Sequence, residues 1–196
     1  MVVVGLTGGI GSGKTTLLKC FESFGVPIYI ADKEAKALMN RSKVIQRKLI
    51  DIFGDLAYIN DELNRPYLAS KIFADQSLLA KMNAVVHPKV ASHFKSWLKK
   101  QEAPYVIKEA AIIFENKLEN QYDFIITVVA DEDLRIQRVI NRDQSSKEKV
   151  KSIMKNQLSD EEKIKKSDYV IKNNNLEEAK KQAHKIHKEI LLRINA

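Results

Sequence analysis

Short, wholly apolar runs alternate along this chain with longer stretches of helical periodicity. The run at residues 2–6 contains no polar side chain, which is typical of a strand buried on both faces. The predicted strands cover residues 2–6, 26–32, 105–115, 122–130 and 168–173. This alternation indicates an α/β domain in which about five parallel strands form one sheet flanked by helices.

Residues 33–103 interrupt the alternation, because four consecutive stretches there carry apolar residues at helical spacing. They are "DKEAKALM", "SKVIQRKLIDIF", "RPYLASKIF" and "SLLAKMNAVV". His87 and Pro88 follow the last stretch, and proline favours the first turn of a helix. We therefore expect Pro88 to begin a new helix that runs toward Lys100. So much helix between two strands predicts an inserted helical subdomain.

The last third of the chain returns to the alternation of helix and strand. Residues 131–142 predict a helix, and Ser159 with Glu162 has the spacing of a capping box that opens another. An amphipathic helix after Asn175 closes the chain. These helices should flank the predicted sheet.

Composition narrows the class of protein. The chain has 196 residues, 44% of them hydrophobic, which suffices for one domain with a buried core. Its 33 Lys and Arg against 25 Asp and Glu give a net charge of +8, which suits anionic partners. The basic tail after Asn175 has no aromatic residue among its charges, so nucleic acid is not expected as a partner. No apolar run reaches the ~18–20 residues that cross a bilayer. We expect a cytoplasmic protein without a membrane partner, in which the single Cys20 packs in the core.

Five of the seven glycines fall within residues 5–13, before a lysine and two threonines. Gly8–Thr15 fits the phosphate-binding pattern G-x-x-x-x-G-K-[ST] between a strand and a helix. Glycines let N–H groups turn inward around a phosphate, and the following helix adds its unpaired N–H groups. Lys14 should reach the β- and γ-phosphates, and Thr15 should bind Mg²⁺. The predicted nucleotide contacts are Gly8, Gly9, Gly11, Ser12, Gly13, Lys14, Thr15 and Thr16.

The loop alone does not separate a kinase from a GTPase switch. Two stretches resemble GTPase motifs, "DIFG" at residues 51–54 and "NKLE" at residues 116–119. The first ends a segment of helical periodicity, and the second has Glu119 where guanine recognition needs an aspartate. Both observations disfavour the switch, which stays open as an alternative.

A small-molecule kinase needs an acid near the acceptor hydroxyl and positive charge over the transferred phosphoryl group. Asp32 lies at the carboxyl end of the second predicted strand, at the edge where α/β sheets bind ligands. Arg135, Arg138 and Arg142 recur at helical spacing, and the last two share one helix face. A kinase for a nucleoside, a nucleotide or a shikimate-like acid is an alternative acceptor class.

The chain resembles the dephospho-CoA kinase family over essentially its whole length. The matching stretches occur in order and are "GLTGGIGSGKTT", "VPIYIADKEAKAL", "MNAVVHPKV", "IIFEN", "DEDLRIQRVINRD" and "NQLSDEEKIKKSDYVIKNN". The resemblance implies a P-loop kinase fold with a helical substrate subdomain and a lid, the donor ATP with Mg²⁺, and the small-molecule substrate dephospho-CoA. It places the core at about residues 1–32, 104–138 and 161–196, the substrate subdomain at 33–103 and the lid at 139–160.

The same resemblance assigns roles to individual residues. The catalytic residues it implies are Asp32, Lys14 and Arg138. The further ATP contacts are Arg142 and Asn173, the latter near the adenine. The substrate contacts are Asp32, His87, Glu109 and Phe114. Glu109 lies where the chain departs from the family pattern, so it is either a carboxylate near Mg²⁺ or a solvent-exposed charge. We expect a monomer or a weak homo-oligomer.

Overall fold

The computed structural model of the protein describes residues 1–195. The strands in chain order are β1 (Val2–Thr7), β2 (Ile28–Ile30), β3 (Tyr58–Ile59), β4 (Glu62–Leu63), β5 (Tyr105–Glu109), β6 (Phe124–Val129) and β7 (Tyr169–Lys172). The α-helices are α1 (Lys14–Ser23), α2 (Ala31–Arg41), α3 (Lys43–Phe53), α4 (Arg65–Ala74), α5 (Ser77–Leu98), α6 (Glu132–Asp143), α7 (Lys147–Lys155), α8 (Asp160–Lys165) and α9 (Leu176–Ile194).

Five of the strands form one parallel sheet in the order β2–β5–β1–β6–β7, which confirms the predicted fold class. The central strand β1 pairs with β5 on one side and β6 on the other, so that Leu6 lies opposite both Glu109 and Ile126. Val4 and Leu6 have no exposed surface, as the wholly apolar run of β1 requires. The register aligns the carboxyl ends of β1, β5 and β6, and the loop after β1 therefore starts between two neighbouring strand ends.

The chain divides into two units, of which the first is Met1–Tyr29 with the chain from Gln101 on, and the second is Ile30–Lys100. The second unit contains α2 to α5 and the antiparallel hairpin β3–β4. The hairpin was not expected in a segment predicted as helical. Asn60 and Asp61 at its turn have φ of 50° and 64°, a left-handed pair that Asn and Asp tolerate better than most residues. The division into core, substrate subdomain and lid stays a prediction.

Helix α5 runs through Pro88 without a break, so the prediction that Pro88 begins a new helix is wrong. Proline within a helix removes one backbone hydrogen bond and crowds the preceding turn. Val86, Val90 and Phe94 lie on either side of it at spacings of four residues, and all three are buried. One continuous apolar stripe thus packs against the rest of the second unit, and this burial outweighs the local cost at Pro88.

Four predicted strands are shorter in the structure, and two of them, β5 and β2, lose at least four residues each. Strand β5 ends at Glu109 rather than at residue 115, because β1 stops at Thr7 and offers no partner beyond the bond from Ala110 N–H to Leu6 O, 3.2 Å long. Strand β2 covers only Ile28–Ile30, and α2 begins at the next residue. Asp32 therefore lies in the first turn of a helix and not in a strand.

The capping box at the start of α8 is confirmed. The Glu162 N–H donates to Ser159 Oγ over 3.2 Å, and the Ser159 N–H donates to Glu162 Oε2 over 3.1 Å. This reciprocal pair fixes where α8 begins, and with it the position of Asp160 in the first turn. Within residues 1–195, no helix combines the length and the apolar character that crossing a membrane requires.

Candidate active site

The glycine-rich loop joins β1 to α1 as the sequence predicts. Gly13 comes directly before α1 and has φ of 94°, a left-handed conformation that disfavours residues with a side chain. Lys14 turns back along the loop, and its Nζ donates a hydrogen bond to Gly8 O over 2.9 Å. Thr15 and Thr16 are exposed in the first turn of α1, and the Thr16 N–H donates to Gly13 O over 3.1 Å. The first N–H groups of a helix lie beyond the reach of its i→i−4 acceptors. The loop thus offers N–H donors, an ammonium group and two hydroxyls at one place.

Asn173 follows β7 and holds this loop from the neighbouring strand end. Its Nδ2 donates to Ser12 O over 2.8 Å, and its own N–H donates to Val129 O over 2.8 Å. A Cβ atom at Gly13 would collide with the Asn173 amide, so that glycine is required by contact as well as by φ. The predicted contact of Asn173 with adenine stays a prediction, since the amide nitrogen already bonds the loop.

Arg138 reaches the same place from α6. Its Nη2 donates to Asn173 O over 2.9 Å, whereas its Nη1 is buried with no protein acceptor within residues 1–195. A cavity of about 490 Å³ opens here. It is lined by Gly11, Gly13, Lys14, Thr15, Thr16, Arg138, Val139, Arg142, Asn173 and Leu176. A buried guanidinium nitrogen without a partner fits an anionic ligand such as a phosphate group, because burial makes an unmade hydrogen bond costly.

Arg142 lines the same cavity, but its guanidinium is engaged by its neighbour in sequence. Its Nε and Nη2 lie 2.7 and 2.8 Å from the two carboxylate oxygens of Asp143. This bidentate pair raises the pKa of Arg142 and lowers the pKa of the Asp143 carboxyl. Arg142 must give up its bonds to Asp143 before it can contact a phosphate. Arg138 needs no such change, because its Nη1 has no acceptor among the described residues.

Arg135 has a role that the sequence analysis missed. Its side chain is buried against the glycine-rich loop, with 7% of the residue exposed. Its Nε donates to Ile10 O over 2.9 Å, and its Nη1 donates to Asp160 Oδ2 over 2.9 Å. A Cβ atom at Gly9 would occupy the space of this guanidinium. The Ile10 N–H in turn donates to Gln157 Oε1 over 2.9 Å. Helical spacing identified Arg135 as one of three arginines, but not that it faces inward.

Glu115 is a second residue whose position the sequence did not reveal. Its Oε1 accepts the Leu158 N–H over 3.0 Å and lies 2.9 Å from Lys163 Nζ. The Lys163 side chain has no exposed surface. Through Oε1, Glu115 therefore holds the chain between α7 and α8 to the segment that follows β5.

A sequence model described as dephospho-CoA kinase matches residues 2–178. The chain belongs to the dephospho-CoA kinase family. This confirms the family predicted from the sequence, and it makes the protein an ATP-dependent kinase.

Individual relatives and solved structures align with most of the chain. The dephospho-CoA kinase of Bacteroides fragilis is 36% identical over 88% of this chain and 84% of its own length. That of Fusobacterium nucleatum is 36% identical over 94% of this chain and 96% of its own. A solved structure from Thermus thermophilus superposes with a TM-score of 0.89 at 31% identity, covering 97% of both chains. The structure of a dephospho-CoA kinase from Campylobacter jejuni superposes with a TM-score of 0.70 at 25% sequence identity, covering 96% of both chains.

Two substrate contacts implied by the dephospho-CoA kinase resemblance are buried. Glu109 ends β5 with 7% of its surface exposed, so the alternative of a solvent-exposed charge is wrong. Burial raises the pKa of the Tyr122 phenol, and the negative charge of Glu109 raises it further. Phe114 is 2% exposed and packs with Ile113 and Ile125. This position supports a packing role for Phe114 and gives no support to substrate contact.

The two remaining predicted residues of the dephospho-CoA kinase site belong to the second unit. Asp32 is exposed in the first turn of α2, and His87 is exposed in the middle of α5. His87 is thus neither a helix-ending residue nor a core histidine. Within residues 1–195 no group of three or more His, Cys, Asp or Glu side chains is arranged to hold a metal ion.

Proposed function

We propose that this protein transfers the γ-phosphoryl group of ATP to the ribose 3′-hydroxyl of dephospho-CoA, giving CoA and ADP. The observation that carries the proposal is the cavity at the glycine-rich loop. Lys14, Thr15 and the unpaired buried Nη1 of Arg138 meet there within a chain of the dephospho-CoA kinase family. These groups suit the polyphosphate of the donor.

On the donor side, the loop and the N-terminus of α1 bind the phosphates through backbone N–H groups. Lys14 gives up its bond to Gly8 O and moves to the β- and γ-phosphates. Thr15 is the side chain that would hold Mg²⁺, and the ion would neutralise the charge that develops on the phosphoryl group. Arg138 Nη1 stabilises the phosphoryl group during transfer.

On the acceptor side, Asp32 accepts a hydrogen bond from the 3′-hydroxyl and takes its proton late in a loose transition state. Its position supports this role, because it comes two residues after β2 and parallel sheets bind ligands beyond the carboxyl ends of their strands. His87 contacts dephospho-CoA. Residues 139–160 act as a lid that excludes water, which would otherwise accept the phosphoryl group.

An ADP-release assay with dephospho-CoA, adenosine, a nucleoside monophosphate, shikimate or no acceptor tests the function. We expect release that depends on dephospho-CoA, with CoA as the second product. ADP release that depends on another acceptor would identify that acceptor as the substrate. ATP hydrolysis at the same rate without any acceptor would favour a nucleotide-dependent switch.

A solved shikimate kinase superposes on this chain with a TM-score of 0.54 at 17% sequence identity, a likeness that shows the fold alone.

Replacing His87 with alanine should raise the KM for dephospho-CoA by about tenfold, as loss of one hydrogen bond to a charged group would. The KM for ATP should stay within about twofold, because His87 is proposed to contact the acceptor alone. Initial rates with one substrate varied at a time measure both constants. Lys89→Ala is the control, since Lys89 is an exposed basic residue on the same helix. A rise confined to the KM for ATP would contradict the placement of His87.

A further inference from the structure

Two side chains hold the Ile10 peptide groups of the phosphate-binding loop from outside. The Ile10 N–H donates to Gln157 Oε1, and the Ile10 carbonyl accepts from Arg135 Nε, each over 2.9 Å. Arg135 is itself fixed by the 2.9 Å ion pair with Asp160, whose carboxylate is 23% exposed. We call this set of residues, Arg135, Gln157 and Asp160, the Ile10 clamp.

The loop needs such a clamp because Ile10 stands between two glycines. Gly9 and Gly11 carry no Cβ, so the peptide planes on either side of Ile10 turn at little steric cost. A carbonyl oxygen turned toward a phosphate would repel it, whereas an N–H would attract it. Which way these peptides face therefore decides whether the loop favours or opposes an anion.

The clamp fixes that direction. A trans peptide carries its C=O and its N–H on opposite sides. With the Ile10 carbonyl held on the Arg135 guanidinium, the Gly11 N–H points away from that guanidinium, and Gly11 lines the cavity at the loop. With the Ile10 N–H held on Gln157, the Gly9 carbonyl points the other way, where it accepts the Ser12 N–H over 3.2 Å. Both peptides are thus oriented before any ligand binds.

Arginine is the side chain that this place requires. One guanidinium donates through Nε to a carbonyl and through Nη1 to a carboxylate at the same time, whereas a lysine has a single ammonium. Gly9 leaves the space for it. Gln157, the partner of the Ile10 N–H, and Asp160, the partner of Arg135, both come from the chain between α7 and the first turn of α8. This is the end of the segment proposed as the lid.

We propose that Arg135, Gln157 and Asp160 are positioning residues for phosphoryl transfer, which set the peptide orientation of the phosphate loop. Arg135 acts from α6, and Gln157 and Asp160 act from the end of the lid segment. The role in turnover rests on the proposed function. The orientation of the Ile10 peptides does not, because it is a property of the free protein.

The test compares Gln157→Met, which removes the acceptor at nearly constant size, with Gln157→Glu, which keeps a carboxylate oxygen as acceptor. Gln157→Met should lower kcat by about tenfold with the KM for both substrates within about threefold, and Gln157→Glu should be more active than Gln157→Met. The Ile10 amide, followed by NMR hydrogen exchange without ligand, should exchange faster in Gln157→Met and stay protected in Gln157→Glu. Gln137→Met is the control, because Gln137 is exposed on α6.

Asp160→Asn tests the Ile10 clamp through Arg135 instead of through Gln157. It leaves Gln157 in place but removes the charge that holds Arg135, and kcat should again fall by about tenfold. Asp133→Asn, at an exposed position in the first turn of α6, is the control. A melting temperature within a few degrees of wild type shows that loss of fold is not the cause.

The two proposals fail in different ways. Wild-type protein without turnover on dephospho-CoA would contradict the proposed function and leave the exchange result standing. Gln157→Met with wild-type kcat, or with wild-type exchange of the Ile10 amide, would contradict the clamp. An equal loss of activity in Gln157→Met and Gln157→Glu would also contradict the clamp, because only Gln157→Met lacks an acceptor for the Ile10 N–H.

Discussion

Replacing Asp32 with asparagine should lower kcat for phosphorylation of dephospho-CoA by about 10²–10⁴-fold, the usual contribution of a positioned general base. Asparagine keeps the size and one oxygen of the side chain but does not take up the hydroxyl proton. The affinity for ATP should change little, because the phosphates are proposed to bind at the glycine-rich loop. Single-turnover measurement of CoA formation, with ATP affinity from calorimetry, separates the two quantities.

Asp51→Asn is the matched control, since Asp51 is an exposed aspartate on α3 of the same unit. It should leave kcat at the wild-type value. Asp32 also lies in the first turn of α2, where a negative charge favours the helix dipole, so the melting temperature of both variants must be compared. An Asp32→Asn protein within about threefold of wild-type kcat would exclude Asp32 as the base.

Parts of this molecule that depend on near neighbours in sequence were predictable. The wholly apolar run of β1 identifies a strand buried on both faces, and the pattern Gly8–Thr15 identifies the loop and the helix behind it. Ser159 and Glu162 form a capping box because the two residues are three apart on one chain. Each of these features depends on residues that are close together in the chain, so the sequence alone is sufficient to predict it.

Contacts between distant residues were not predictable in the same way. Arg135 reaches Ile10 across 125 positions, and Gln157 reaches the same residue across 147. Helical spacing places Arg138 and Arg142 on one face, but it does not say that Arg135 faces the loop. Gly9 was ascribed to the ligand, whereas the structure shows that it also makes room for Arg135.

Pro88 shows how packing overrides a local preference. Its sequence neighbours predict a helix boundary, yet Val86, Val90 and Phe94 bury one face of a continuous helix. Conversely, the strand predicted over residues 105–115 is apolar enough to continue, but it ends where its partner β1 ends. Apolar patterns report burial, and only the neighbouring strand decides how far a sheet extends.

Replacing Glu115 with glutamine should lower the free energy of unfolding by about 3–5 kcal/mol, the range for breaking one partner of a buried ion pair. Lys163 has no exposed surface, and Glu115 Oε1 is its carboxylate partner at 2.9 Å. The amide oxygen of glutamine can still accept the Leu158 N–H, so the variant removes the charge and keeps that hydrogen bond. Urea unfolding measures the change.

The double variant Glu115→Gln/Lys163→Met should recover at least half of that loss, because removing both charges leaves no uncompensated ion in the interior. Glu177→Gln, which breaks the exposed i,i+3 pair with Lys180, should unfold like wild type since solvent screens such pairs. If Glu115→Gln were no less stable than Glu177→Gln, the buried ammonium would have another source of compensation. If the double variant were as unstable as Glu115→Gln, the lost hydrogen-bond geometry at Leu158, rather than the unpaired charge, would account for the cost. Comparison of the single variant with the double variant thus separates the charge of Glu115 from its bond to the Leu158 N–H.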